Sequence, residues 1–283
     1  MEKKFEFNGT GGALLGKFLL GILLTVITAG IYAPWFACNI YRYLADNTQI
    51  KGAQRGTLQL SFTGTGGGLF VMALVGGLLS MITLGIYGAW FMVKMCKWVC
   101  DNAQAKAADG TVYKLSFNGV GGALFVKILV GALLSGITLG IYSFWFMVNL
   151  NRYLMQNTAI LEGDKVIGNQ DFVATGGQLF VVCLVGALLT AVTCGIYQFW
   201  FQVKLYKFMA SNHYLVIAGK PYQGRFDGDG TTYFVLNLVG GLLTGITLGI
   251  YGAWFFAKLM KFQLGNLVVA PRTVARPAAA PAA

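Results

Sequence analysis

Two hydrophobic rhythms alternate along the chain. Thr57 to Gly64 reads TLQLSFTG, with Leu58, Leu60 and Phe62 alternating against Thr57, Gln59 and Ser61. That period of two marks a half-buried strand. Residues 112–119 (VYKLSFNG) and 3–9 (KKFEFNG) repeat the pattern. Within the chain a second strand-like stretch, such as His213 to Ala218, precedes it, and polar Gly-containing segments such as Lys51 to Gly56 join the two. The pairs predict β-hairpins. A glycine cluster follows, as at Gly64 and Gly66-Gly67, and then a long apolar run. The spacing predicts a helix from about Gly67 to Thr83, a stop at Gly85, and a second helix from about Tyr87 to Asn102.

This unit recurs. Gly-Ile-Tyr stands at Gly30, Gly85, Gly140, Gly195 and Gly249, at intervals of 55, 55, 55 and 54 residues. Each copy has a Thr two residues before it, from Thr28 to Thr247, and a Trp-Phe pair after it, from Trp35 to Trp254. Each is closed by an Asn, at Asn47, Asn102, Asn157, Asn212 and Asn266. Self-similarity at a fixed period defines a repeat architecture. The units run 3–47, 48–102, 103–157, 158–212 and 213–266. The chain opens with only the second strand of a hairpin, Lys4 to Phe7, and residues 267–269 supply only a first strand. The two halves complete one another if residue 269 lies beside residue 4, which closes the units into a pseudo-fivefold ring and leaves no sheet edge. Residues 271–283, rich in Ala and Pro, are expected to be a disordered tail.

Composition turns this pattern towards the membrane. Of 283 residues 56% are hydrophobic and only 11% charged, and 39 are Gly. Soluble domains carry about 25% charged residues. The fold class expected is therefore a membrane protein, mainly α with short β-hairpins, whose ten membrane-embedded helices form the ring. In the first helices small residues stand four apart, as at Gly76 and Ser80 or Gly131 and Ser135, a spacing that lets helix backbones approach closely. The N-terminal apolar run is the first of these helices and not a cleaved signal. No charge falls in a tight turn between helices, so the basic hairpins and both termini are expected on the cytoplasmic side of a multi-pass protein. The net charge of +11 fits anionic lipid better than nucleic acid.

The helix lengths strain that expectation. A span needs roughly 20 apolar residues, and at ~1.5 Å per residue Lys94 lies only about 12 Å from its tight turn. Either the helical hairpins dip part way, or the basic stripe faces protein or water. The stripe itself recurs. One position holds Asn39, Lys94, Asn149, Lys204 and Lys258; three residues on, the next holds Arg42, Lys97, Arg152, Lys207 and Lys261. The two share a helix face. They read as snorkelling side chains, as an anion or lipid-headgroup site, or as structural pairing.

The Phe-x-Gly-x-Gly-Gly lead at Phe62 to Gly67, the Leu78 to Tyr87 core, the following Trp, and the endings Arg42 to Thr48 and Arg152 to Thr158 resemble the YjgN family of bacterial inner-membrane proteins, whose function is unknown. Only Pro34-Trp35 keeps the Pro-Trp pair common in that family. The resemblance implies a bacterial inner-membrane location and carries no reaction or ligand.

Candidate chemistry is sparse. Gly11 to Lys17 spells a phosphate-loop pattern, but Phe18 stands where that loop needs Ser or Thr. Cys38, Cys96, Cys100, Cys183 and Cys194 form no CxxC pair, and His213 is the single histidine. No metal site, cofactor or catalytic set is expected, and fivefold repetition argues against an enzyme. The expected function is a pore, channel or anionic-lipid-binding scaffold. The alternatives are a structural anchor that recruits a cytoplasmic partner, and a transporter.

Overall fold

A computed structural model describes residues 2–53 and 55–272. The elements follow one another as β1 (Lys3–Phe7), α1 (Gly11–Ile27), α2 (Ala33–Asp46), β2 (Thr48–Ala53), β3 (Gly56–Phe62), α3 (Gly66–Ile82), α4 (Gly88–Asn102), β4 (Ala103–Ala107), β5 (Val112–Phe117), α5 (Gly121–Ile137) and α6 (Ser143–Gln156). The remainder are β6 (Thr158–Glu162), β7 (Lys165–Phe172), α7 (Gly176–Val192), α8 (Gln198–Ser211), β8 (His213–Ile217), β9 (Lys220–Phe226), α9 (Gly230–Ile246), α10 (Gly252–Gly265) and β10 (Leu267–Pro271).

The strands form one closed antiparallel barrel of ten, in which strands consecutive in the chain are neighbours. Two kinds of connection alternate around it. Tight turns join β2 to β3, β4 to β5, β6 to β7 and β8 to β9 at one end. Helical hairpins make the other connections, so all five leave the barrel at the opposite end. Closure comes from β1 and β10, where Lys3 opposes Val269 and Lys4 opposes Val268. Both ends of the described chain therefore lie at the tight-turn end. Strand β10 runs to Pro271, and the Arg272 N–H donates to the Pro221 carbonyl. The expected tail thus does not begin at Pro271, and residues 273–283 lie outside the described residues.

This corrects the expected fold class. The ring is closed by a β-barrel, and the ten helices do not form a ring of bilayer spans. Each hairpin reads in the sequence as a local pair, yet every strand also bonds to the next unit: β3 pairs with β4, β5 with β6 and β7 with β8. Pairing between units leaves no local signal. Among the described residues no helix is long and apolar enough to cross a membrane. The longest helices have 17 residues, about 25 Å at ~1.5 Å per residue, against a hydrocarbon core of roughly 30 Å.

Glycine packing sets the helix positions. Gly21, Gly76, Gly131, Gly186 and Gly240 each lie under the ring of the Phe after the repeated Trp in their own hairpin, such as Phe91 over Gly76, with no room for a Cβ. The Trp packs on the neighbouring unit: Trp35 on Gly66, Trp90 on Gly121, Trp145 on Gly176, Trp200 on Gly230 and Trp254 on Gly11. The small-residue stripe is thus filled by aromatic rings. Phe7, Phe62, Phe117, Phe172 and Phe226 end alternate strands and are buried where barrel meets helices, with Trp98 edge-on to Phe62 at 5.5 Å.

Candidate functional site

Three features outside the core have chemical character: the helix ends away from the barrel, the basic stripe, and the barrel interior.

The first helix of each hairpin ends at a Thr whose hydroxyl donates to the carbonyl four residues back and accepts the N–H of the Tyr beyond the turn. For Thr83 these are the Leu79 carbonyl at 2.7 Å and the Tyr87 N–H at 2.9 Å. The chain then reverses through two residues of positive φ. Gly85 is the second. The first is Ala29, Leu84, Leu139, Cys194 or Leu248, at φ of 48° to 52°. A side chain with a Cβ costs roughly 1 kcal/mol or more in that conformation. Leu84, Leu139 and Leu248 are nevertheless 94% exposed, and the isoleucine two residues on is exposed in all five units. Exposed apolar residues continue down the helix, from Ile27 back to Leu19 in α1. That stretch is about 12 Å long at ~1.5 Å per residue. The Tyr and Trp flanking each turn stack, with Tyr87 and Trp90 centroids 6.4 Å apart.

The eight basic residues singled out in the sequence divide by role. Arg42 donates from Nη2 to the Gly64 carbonyl at 3.0 Å. Arg152 donates from Nε to the Phe172 carbonyl at 3.0 Å and from Nη2 to the Ala174 carbonyl at 2.6 Å. Both therefore tie one unit's second helix to the next unit's strand–helix loop. Lys97, Lys207 and Lys261, at the same repeat position, are exposed. In the other position the lysines turn back along their own helices towards the tips. Lys94 Nζ donates to the Tyr87 hydroxyl at 2.7 Å, and Lys258 Nζ to the Tyr251 hydroxyl at 2.8 Å. Lys204 Nζ lies 5.3 Å from the Tyr197 ring centre. The stripe is thus not one continuous site.

The barrel interior is a feature that the sequence reading missed. It encloses a cavity of about 520 Å³, lined mostly by apolar side chains that include Phe5, Ile50, Leu60, Leu115, Ile160 and Leu215. At the tight-turn end Arg55 Nη2 meets Glu162 at 2.6 Å and Arg55 Nη1 meets Asp109 at 3.1 Å. The Thr111 N–H and hydroxyl, with Arg55, hold the Asp109 carboxyl below the usual carboxylate range. Lys3 also lines the cavity; its Nζ sits 4.3 Å from the Tyr222 ring centre, and burial lowers its pKa. Towards the helices, His213 Nε2 lies 2.8 Å from Gln170 Oε1, and burial lowers the imidazole pKa. The inward alternation of Leu58, Leu60 and Phe62 was visible as a signal; what it faced was not.

The fold defines a repeat protein, a closed barrel with an apolar crown of helical hairpins at one end. A family model described as "Bacterial protein of unknown function (DUF898)" matches residues 2–55, 57–108 and 112–165, and the chain belongs to that family. It is 36% identical over 99 residues to the Inner membrane protein YjgN of Salmonella typhimurium, covering 34% of this chain and 23% of that protein. It is 39% identical over 70 residues to the protein of the same name from Escherichia coli K12, covering 25% of this chain and 16% of that protein. The similarity thus spans less than a quarter of the length of these curated relatives. Their names support an inner-membrane location. No solved structure matches the chain.

Proposed function

We propose that this protein is a non-enzymatic scaffold of the bacterial inner membrane that inserts its helical tips part way into one leaflet and binds anionic lipid. The observation that carries this reading is the exposure of Leu84, Leu139 and Leu248 at 94%, each held in a left-handed backbone conformation. Water penalises such a crown, at about 25 cal/mol per Å² of apolar surface, whereas hydrocarbon does not. The depth also fits. The exposed apolar band is about 12 Å long, and one leaflet supplies roughly half of a ~30 Å core. Lys94, Lys204 and Lys258 keep their ammonium groups against the tip tyrosines, while the exposed Lys97, Lys207 and Lys261 stand nearer the barrel, at headgroup depth, where they attract anionic lipid. The uncharged turns favour a barrel on the cytoplasmic side. The apolar barrel wall is a poor lining for an aqueous ion path, which favours a scaffold over a pore.

Flotation with vesicles tests this. The protein is expected to float with phosphatidylglycerol vesicles and less with phosphatidylcholine alone. Replacing Leu84, Leu139 and Leu248 together by Ser should release it from both. Binding unchanged by that replacement refutes insertion through the tips.

A further inference from the structure

The barrel interior has a shape and chemistry that membrane attachment through the tips does not use. Barrels of about eight strands are filled by side chains or hold one small ligand, and here ten strands close. On β4 the small residues Ala103 and Ala105, with Gln104 between them, line the interior, and a cavity of about 520 Å³ remains. Ligand pockets typically measure about 300–1,000 Å³. Strands of five to eight residues, tilted as a closed barrel requires, set its height on the order of 12–20 Å at ~3.3 Å per residue.

Three observations narrow the occupant. The wall is mostly apolar, from Leu58 and Tyr222 near the turns to Phe62 and Leu267 near the helices, with Ser61, Gln104 and Gln170 among the few polar side chains on it. A flat polar ligand would lose its hydrogen bonds to water without replacement there, whereas a hydrocarbon chain loses none. The charges at the turn end are unequal. Arg55 is matched by Asp109 and Glu162, while Lys3, half-buried with Tyr222 against it, has no carboxylate in salt-bridge range among the described residues; Lys114, the other lysine of the lining, is exposed. A partly buried cation is costly unless an anion meets it. The far end carries a neutral polar pair, His213 and Gln170, and no Lys or Arg lines it among the described residues.

We infer that the barrel binds a single acyl chain lengthwise, with its anionic head, carboxylate or phosphate, on Lys3 at the tight-turn end. This site is separate from the tips, so either reading can fail without the other.

The test uses the full chain in lipid nanodiscs and a sixteen-carbon fatty acid carrying a photoactivatable diazirine, with cross-linked peptides mapped by mass spectrometry. Adducts are expected on the barrel strands, at positions such as Leu60 and Leu215, and competed by palmitate and by lysophosphatidic acid. The stronger competitor identifies the head. Lys3→Gln should cut barrel adducts of the acid several-fold and leave those of the matching fatty alcohol unchanged. Ala105→Trp, checked for folding by circular dichroism, should abolish both. The triple tip variant should keep barrel labelling while losing vesicle binding. Adducts confined to the outer helix faces overturn the proposal, as does equal loss of acid and alcohol labelling in Lys3→Gln. Failure of vesicle binding with barrel labelling intact would sink only the membrane reading.

Discussion

Lys4 and Val268 face each other across the seam between β1 and β10, the first and last of the described strands. That pairing makes the barrel closed. Replacing both by Cys, with the five native cysteines changed to Ser, should yield an intramolecular disulfide on mild oxidation. A control pair at Lys4 and Val216, on the non-neighbouring β8, should not cross-link. An open array predicts no bond in either pair.

The α5 helix holds two glycines with opposite expectations. A Cβ at Gly131 would overlap the Phe146 ring, while nothing lies within reach of one at Gly136. Gly131→Ala is therefore expected to destabilise by about 1–3 kcal/mol through overpacking. Gly136→Ala should be neutral or stabilising by up to ~1 kcal/mol, because Ala is the better helix former. Thermal unfolding in one detergent compares them. Equal losses would show that the ring-on-glycine contact does not set the helix spacing.

Strain at the tips predicts a separation of stability from binding. Asn tolerates the left-handed conformation better than Leu. Leu139→Asn should hold or raise the unfolding midpoint while weakening vesicle binding. A fall in both would mean that the leucine supports the fold itself.

His213 gives a pH dependence with a definite sign. Burial lowers its pKa in the folded protein below the unfolded value of about 6.5. Between those two values the unfolded chain binds the extra proton. Stability should therefore fall as pH drops from about 6.5 through the folded pKa. His213→Gln should remove that slope. The depressed carboxyls of Asp109, Asp227 and Asp229 act in a separate window, below about pH 4, where protonation removes their contribution.

Much of the unit was legible in the sequence because its signals are local. The helix expected from about Gly67 to Thr83 is α3, Gly66–Ile82, and that from Tyr87 to Asn102 is α4, Gly88–Asn102. Strands β1 and β10 pair as the two half-hairpins required. The barrel was not legible, because the β3–β4 pairing joins strands separated by a whole helical hairpin. The cavity was hidden for the same reason: Leu60 and Leu215 are far apart in sequence and share a wall only once the ring closes. The basic stripe misled in part. Arg42 and Lys97 occupy one repeat position, yet only the arginine's planar donors reach a neighbouring unit's carbonyl.

Cys194 occupies the tip position that is Leu in three other units, and it is exposed. It is therefore a native probe of where the tips lie. Inner-membrane preparations of both orientations are treated with a water-soluble maleimide, and modified cysteines are mapped by mass spectrometry. Insertion into one leaflet predicts that Cys194 resists the reagent from either side and reacts once the protein is stripped of lipid and unfolded. Labelling of Cys194 from the periplasmic face would show that the hairpins cross the bilayer, and labelling from the cytoplasmic face would show that they never enter it.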